Sequence, residues 1–286
     1  MLQRLLLLLC ALWLMAPEVS SQQPPAPPAS AARVLLLPKR IVSGEAATLA
    51  VLDASGRLTP GVTVNFSNGD HLVTNATGRG LFVAPTTPGV IYATITNRPT
   101  RVYATIFTPA EVNSSSLQVS SAPSFVSLAD HFELSGSGFC GSADANTVRI
   151  GGKPALVLAS SPAAVTALPP TDLEPGPAAV EIACAKRLAA PFSVTFLELS
   201  LDADSSPLSP GEHRTLTVKV GGTAAKVPLE AHNLSPQVAE LAGGNPAKVS
   251  SSGGAENAAH FELIGRERGN FAISVRLVPT VAPVHR

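Results

Sequence analysis

Residues 134–142, LSGSGFCGS, allow two opposite interpretations of the fold. Gly136, Gly138 and Gly141 have the G-x-G-x-x-G spacing of a dinucleotide-binding loop, which would place them in a βαβ unit. The next residues, SADANTVRIGG, form a polar stretch and then a β-like VRI, so no helix is predicted where a pyrophosphate would bind. We therefore expect no cofactor, glycines that bend the chain as it leaves a strand, and Phe139 in a core.

The chain on both sides of this stretch has the composition of β-strands. Short runs rich in Val, Thr, Ile, Leu and Phe alternate with clusters of Gly, Pro, Asn, Asp and Ser. The clearest runs are ATLAVLD (47–53), VTVNFS (62–67), GLFVAP (80–85), VIYATIT (90–96) and RVYATIF (101–107). Their near-alternation of apolar and polar side chains predicts strands with one buried face, and no stretch of similar length has helical spacing. The predicted fold class is all-β.

Two polar seams, residues 108–124 and 194–212, divide the chain into three parts of the size of small β-sandwiches. We predict sandwich units at 33–108, 118–196 and 197–286. Within the last unit, HFELI and FAISVRL flank the charged segment GRERGN, a pattern that predicts a hairpin.

The N-terminus is typical of a secretory signal peptide. Arg4 precedes an apolar run that is too short to cross a bilayer comfortably, and Val19 and Ser21 occupy the −3 and −1 positions of a cleavage site. We predict a signal peptide at 1–21, a Pro/Ala-rich tether at 22–32, and a secreted or periplasmic protein without membrane insertion after cleavage. Lipidation at Cys10 remains an alternative.

The middle unit resembles the IPT/TIG family of immunoglobulin-like domains, which combine G-x-G-F, V-x-I-G-G-x-x-A, a proline turn and P-G-x-x-x-V-x-V in this order. The matching residues are Gly136, Gly138, Phe139, Val148, Ile150, Gly151, Gly152, Ala155, Pro169, Pro170, Gly176, Val180 and Ile182. The first unit is similar to the bacterial immunoglobulin-like modules of invasin- and intimin-type proteins. Its matching residues are Asp53, Gly56, Gly61, Val62, Val64, Thr77, Gly78 and Gly80. These two resemblances imply immunoglobulin-like sandwiches in a bacterial protein. The third unit resembles no named family, and its strand pattern alone predicts an immunoglobulin-like sandwich, so that the prediction is three tandem immunoglobulin-like sandwiches.

Cleavage of the signal would leave two cysteines, Cys140 and Cys184, in an oxidising compartment. A disulfide bond between them is the main prediction. The alternative is a reactive Cys140 thiol, which would need a nearby base to lower its pKa, and no Cys–His family signature surrounds it.

No motif for catalysis or metal binding occurs in the sequence. The six histidines are scattered, without a pair at i, i+4 spacing, and they are His71, His131, His213, His232, His260 and His285. Asp202 and Asp204 are too few ligands to define a calcium site, so a solvated turn is the simpler interpretation. We expect no metal site, no catalytic residues and no enzymatic activity, although an enzyme of unrecognised type remains an alternative.

Composition limits the classes of partner. The net charge is zero, which gives no reason to expect nucleic acid as a partner. Trp13 lies in the predicted signal, so Tyr92 and Tyr103 are the only large polar aromatics left for sugar stacking. The expected function is a structural spacer or an adhesion and interaction module that binds an unknown protein or envelope component. A carbohydrate-binding accessory module is the alternative.

Overall fold

The computed structural model describes residues 33–112, 116–202 and 206–284. Strands make up most of this part of the chain, which confirms the all-β sandwich prediction, and all described residues belong to one compact unit. The predicted signal peptide, the tether and Cys10 lie outside the described residues. Among the described residues, no helix has the length and apolar character required to span a bilayer.

The first core lies between two sheets built from the first eight strands. These are β1 (Val34–Leu36), β2 (Arg40–Val42), β3 (Ala46–Leu52), β4 (Thr63–Phe66), β5 (His71–Val73), β6 (Arg79–Val83), β7 (Gly89–Ile95) and β8 (Val102–Phe107), followed by the helix α1 (Pro109–Val112). One sheet has the order β1-β3-β6 and the other the order β2-β8-β7-β4-β5. Leu49, Val64 and Ile91 meet between them, which is the burial that the alternating sequence predicts.

The middle core is built in the same way. Its strands are β9 (Gln118–Pro123), β10 (Phe125–Ser127), β11 (Phe132–Ser137), β12 (Asn146–Ile150), β13 (Lys153–Ser161), β14 (Ala164–Leu168), β15 (Gly176–Cys184), β16 (Arg187–Leu188) and β17 (Phe192–Asp202), with a 3-10 helix at Ala143–Ala145. Strand β13 pairs with β12 at its start and with β14 at its end, so it passes from one layer to the other. Leu134, Val180 and Phe196 are fully buried between the layers.

The third core uses the remaining strands together with the end of β17. They are β18 (His213–Gly221), β19 (Pro228–Asn233), β20 (Ala239–Leu241), β21 (Ala247–Ser250), β22 (Ala258–Gly265), β23 (Ile273–Leu277) and β24 (Val281–Pro283). One layer runs β17-β18-β22-β20 and the other β21-β19-β23. Leu216, Leu229 and Phe261 pack between them.

One border of the predicted units falls inside a strand, whereas the predicted start at position 118 coincides with the start of β9. Strand β17 runs through positions 196 and 197, pairing with β15 over its first half and with β18 over its second half. Strand β24, from the end of the chain, pairs with β9 of the middle sandwich. The division of the chain into units at 33–108, 118–196 and 197–286 stays a prediction.

The predicted final hairpin is wrong. HFELI lies in β22 and FAISVRL in β23, but β22 pairs with β18 and β20, whereas β23 pairs with β19 in the opposite layer. Both edges of β22 are occupied, so the GRERGN segment crosses between layers instead of reversing within one. Gly269 at its end bridges to Leu208, which anchors this crossing.

Candidate functional site

The stretch that opened the sequence analysis is a corner of the middle sandwich. Phe139 is 3% exposed and belongs to the core, and Gly138 has φ +73°, a conformation that L side chains rarely adopt. After Gly141 the chain forms only the three-residue 3-10 helix and then β12, so the glycines lead into a strand. The predicted role of the glycines in backbone geometry, with Phe139 in the core, is confirmed.

The corner is closed by a disulfide bond and by one amide side chain. Cys140 is bonded to Cys184, as the sequence predicts, with their Cα atoms 5.5 Å apart. Asn146 Nδ2 donates hydrogen bonds to the carbonyl oxygens of Cys140 (2.8 Å) and Ser142 (2.9 Å), and Asn146 Oδ1 accepts one from the Cys140 amide. The Cys140 sulfur is therefore not a free thiol in this structure.

The same corner docks against the first sandwich. Thr48 Oγ1 on β3 donates to the Gly141 carbonyl oxygen at 2.8 Å and accepts from the Ala143 amide at 3.1 Å. Ser160 Oγ on β13 donates to the same carbonyl oxygen at 2.9 Å. A Cβ atom at Gly141 would overlap the Ala46 carbonyl oxygen, so close approach of the two sandwiches requires glycine there.

A buried arginine completes this junction. The side chain of Arg79, on β6, is 9% exposed. Arg79 Nη2 donates to the Val157 carbonyl oxygen at 2.6 Å, and Nη1 pairs with Asp144 Oδ1 at 3.2 Å. Apolar contacts of Ala50 and Leu52 with Leu158 lie beneath these polar ones. Because one face of β3 covers the first core and the other covers the junction, six of its seven residues are buried.

Glu133 on β11 lies at the edge of the junction. Its Oε2 atom accepts a hydrogen bond from the Lys39 amide at 3.0 Å. Burial raises the pKa of Glu133 above its ordinary value, although the Lys39 hydrogen bond and the charges of Lys39 and Arg40 act in the opposite direction.

The residues considered for metal binding are not brought together in the described part of the chain, where no group of three or more His, Cys, Asp or Glu side chains converges. Asp202 pairs with Lys219 at 3.3 Å, whereas Asp204 and His285 lie outside the described residues. His213 contacts Glu262, and His260 contacts Thr217. His232 contacts Glu230, which also accepts a hydrogen bond from Arg276 Nε at 2.6 Å.

The described residues form, among others, two shallow grooves. The first lies where β24 returns beside β9 and β17. It is lined by Ala122, Pro123, Ser124, Phe192, Ser193, Thr195, Ala282, Pro283 and Val284. The second lies near Asn233 and Asn245, with the Arg266–Glu240 ion pair beside it.

A different surface gathers the two tyrosines. Tyr92 on β7 is directly opposite Tyr103 on β8, and their ring centroids are 5.7 Å apart at an interplanar angle of 59°. The guanidinium carbon of Arg101 lies 4.7 Å from the Tyr92 ring centroid. Tyr103 is 53% exposed. We call this set of Tyr92, Tyr103 and Arg101 the tyrosine platform; it lies on the outer face of the β2-β8-β7-β4-β5 sheet.

Both tyrosines lie in runs that predict strands, but their pairing was not predicted from the sequence. The signal that reveals it is their equal distance from the turn at Asn97 and Arg98, because residues equally far from a hairpin turn face each other across the strands.

Comparisons with known proteins identify similar solved structures but no matching family. No family model matches it, and no curated protein matches it. Among solved structures, it is similar to SGBP-B of the Bacteroides ovatus mixed-linkage glucan utilization locus, in complex with a mixed-linkage heptasaccharide. The identity is 13%, the match covers 84% of this chain and 74% of that one, and the TM-score is 0.35.

Two further matches are domains 4 and 5 of the S-layer protein SbsC and the BSP domain of a biofilm associated protein. The first has 16% identity and covers 41% of this chain and 66% of that one, with a TM-score of 0.20. The second has 13% identity and covers 56% of this chain and 28% of that one, with a TM-score of 0.27. The chain thus spans less than two thirds of both structures. Similarities at these TM-scores carry no argument about function.

Proposed function

We propose that this protein is an exported, non-enzymatic module of IPT/TIG- and immunoglobulin-like sandwiches that acts as a rigid spacer and protein-interaction scaffold at the cell envelope. The observation that carries the proposal is the joining of three cores by shared strands. Strand β17 serves the middle and third cores, β24 returns from the third to the middle, and β3 bridges to β13 through Thr48 and Ser160. Such joints hold binding surfaces at fixed separations.

Strand β6 lies at an edge of its sheet. Within the described residues it pairs only with β3, and its outward side chains Leu81 and Val83 are 60% and 67% exposed. An unpaired edge offers backbone N–H and C=O groups to an extended segment of a partner, and charged side chains on an edge oppose such pairing.

Crosslinking in envelope fractions followed by affinity capture tests the interaction function. One dominant captured protein is expected, and the double variant Leu81→Lys/Val83→Lys should lose it. Leu188→Lys is the matched control, since Leu188 is 78% exposed on the two-residue strand β16. Recovery of nothing at native abundance would contradict the interaction function. Equal capture by the edge variant would contradict the role of β6.

Export has its own test. Because the predicted cleavage site follows Ser21, N-terminal sequencing of the protein recovered outside the cytoplasm should begin at Gln22. A protein that starts at Met1 and stays in the cytoplasm would contradict the proposed location.

A second candidate function is glycan binding, and the tyrosine platform favours it. Aromatic rings with one solvent-facing side can stack on the apolar face of a sugar ring, and the Tyr92–Tyr103 pair is such a surface.

A further inference from the structure

The side chains around the tyrosine platform are polar and short. On the strands beside the rings, Asn65, Thr94 and Thr105 alternate with buried residues and so face outward with them. Asn65 Nδ2 donates to Thr96 Oγ1 at 2.9 Å on the same face. These groups offer hydrogen-bond donors and acceptors beside the rings, as recognition of hydroxyl-rich ligands requires.

The charge next to the rings is positive and uncompensated. In the part of the chain that the structure describes, no carboxylate forms an ion pair with Arg101, whose guanidinium lies against Tyr92. None of the residues of β2, β4, β5, β7 and β8 is acidic. Residues 33–108 carry seven basic and three acidic side chains, although the whole chain is neutral. This local excess favours an anionic ligand.

We propose that the tyrosine platform binds an acidic polysaccharide, with a pyranose ring stacked on Tyr103 and a uronate carboxylate held by Arg101. The inference rests on the second candidate function and commits it to a site and a ligand class. A guanidinium presents a planar donor fork that matches a carboxylate, and it keeps its charge at every relevant pH. Its stacking against Tyr92 orients that fork beside the sugar-binding face.

Tyrosine fluorescence reports on this site directly. The chain has two tyrosines, both in the platform, and one tryptophan, Trp13. In the mature chain that begins at Gln22, which lacks Trp13, emission therefore comes from the platform alone. Titration with a galacturonate oligomer should give saturable quenching that weakens as salt is raised. A cellulose-derived neutral oligomer and an oligothymidylate of equal length serve as comparison ligands.

Two variants with matched controls test the contacts. Arg101→Gln should weaken galacturonate binding by roughly tenfold or more, because a charge-assisted hydrogen bond is lost. Arg57→Gln removes the same charge from an exposed turn of the same sandwich and should leave affinity within about twofold. Tyr103→Ala should weaken binding by up to about tenfold, whereas Tyr103→Phe, which keeps the ring, should retain it. Tyr103 is a better target for substitution than Tyr92 because it is exposed. Circular dichroism verifies that each variant is folded.

Each other outcome overturns the inference. Equal binding of the neutral oligomer with no effect of Arg101→Gln would leave glycan binding standing while removing the acidic ligand. Quenching by oligothymidylate alone would assign the platform to single-stranded nucleic acid, which also uses aromatic stacking and cations. No response to any of the three ligands would contradict both the inference and the second candidate function.

Discussion

The two junctions between the cores are built on different principles. Between the middle and third cores the backbone itself is continuous, since β17 pairs five residues with β15 and five with β18. Between the first and middle cores the backbone ladder is a single bridge, Thr48 to Ser160. The rest of the contact combines the close approach at Gly141, side-chain hydrogen bonds such as those of Arg79, and apolar packing against Leu158. The second junction should therefore tolerate side-chain changes because a shared strand runs through it. Comparable changes at the first junction should separate the first sandwich from the rest.

The largest expected effect comes from the disulfide that braces the corner of the first junction. Cys140→Ala together with Cys184→Ala opens a loop of sequence separation 44 and should reduce the free energy of unfolding by roughly 4 kcal/mol, in the chain-entropy account. Urea unfolding followed by circular dichroism measures the loss. The unaltered protein treated with reductant is the control, and a loss below about 1 kcal/mol would contradict this account.

Gly141→Ala should act on the junction more selectively. The added Cβ meets the Ala46 carbonyl oxygen, so the two sandwiches must move apart, at a cost of about 1–3 kcal/mol. Calorimetry should then show a separate transition for the first sandwich. Gly221→Ala is the matched control at the second junction, where the new Cβ lies 3.4 Å from Glu198 Cβ in ordinary contact. Equal destabilisation by both variants would remove the distinction between the junctions.

Deletion of residues 281–286 tests the strand that returns to the middle sandwich. The deletion removes the pairing of β24 with β9 and the hydrogen bond from the Val284 amide to the Ser120 carbonyl oxygen at 3.0 Å. We expect a loss of about 1–2 kcal/mol, with faster hydrogen exchange in β9. Unchanged exchange in β9, with faster exchange only in the third sandwich, would show that β24 does not brace the middle one.

The smallest expected effect is the pH dependence at Glu133. Its folded pKa is raised, so the folded state holds the proton more tightly and stability falls as pH rises from the ordinary carboxyl value of 4.5 to the raised one. Glu133→Gln keeps an acceptor for the Lys39 amide and removes that titration. Relative to the unaltered protein, the variant should therefore be more stable above this pH window than below it. Unfolding free energies measured across pH check the sign of this difference. A larger loss of stability for the variant above the window would contradict it.

The features that could be predicted from the sequence are those that local periodicity and composition determine. The alternation in GLFVAP and VIYATIT predicted β6 and β7, and the position of Phe139 after two glycines predicted its burial. The disulfide bond was predicted because only two cysteines remain after the predicted cleavage and because the expected compartment is oxidising.

What the sequence did not predict depends on which strands become neighbours. HFELI and FAISVRL have hairpin character, but β20 already occupies the edge that β23 would need. LELSLD looked like the start of a new unit, whereas pairing with β18 extends β17 through it. Thr48 and Ser160 are ordinary residues in sequence and become important because Gly141 brings its carbonyl oxygen between them.

The measurement that tests the scaffold most directly is the spread of distances across the two junctions. Pulsed dipolar spectroscopy with spin labels at the exposed positions Asp70 and Glu181 spans the first junction, and labels at Glu181 and Glu256 span the second. We expect narrow distributions for both pairs in the unaltered chain, and Gly141→Ala should broaden only the first. A broad distribution between positions 70 and 181 in the unaltered chain would contradict the rigid scaffold.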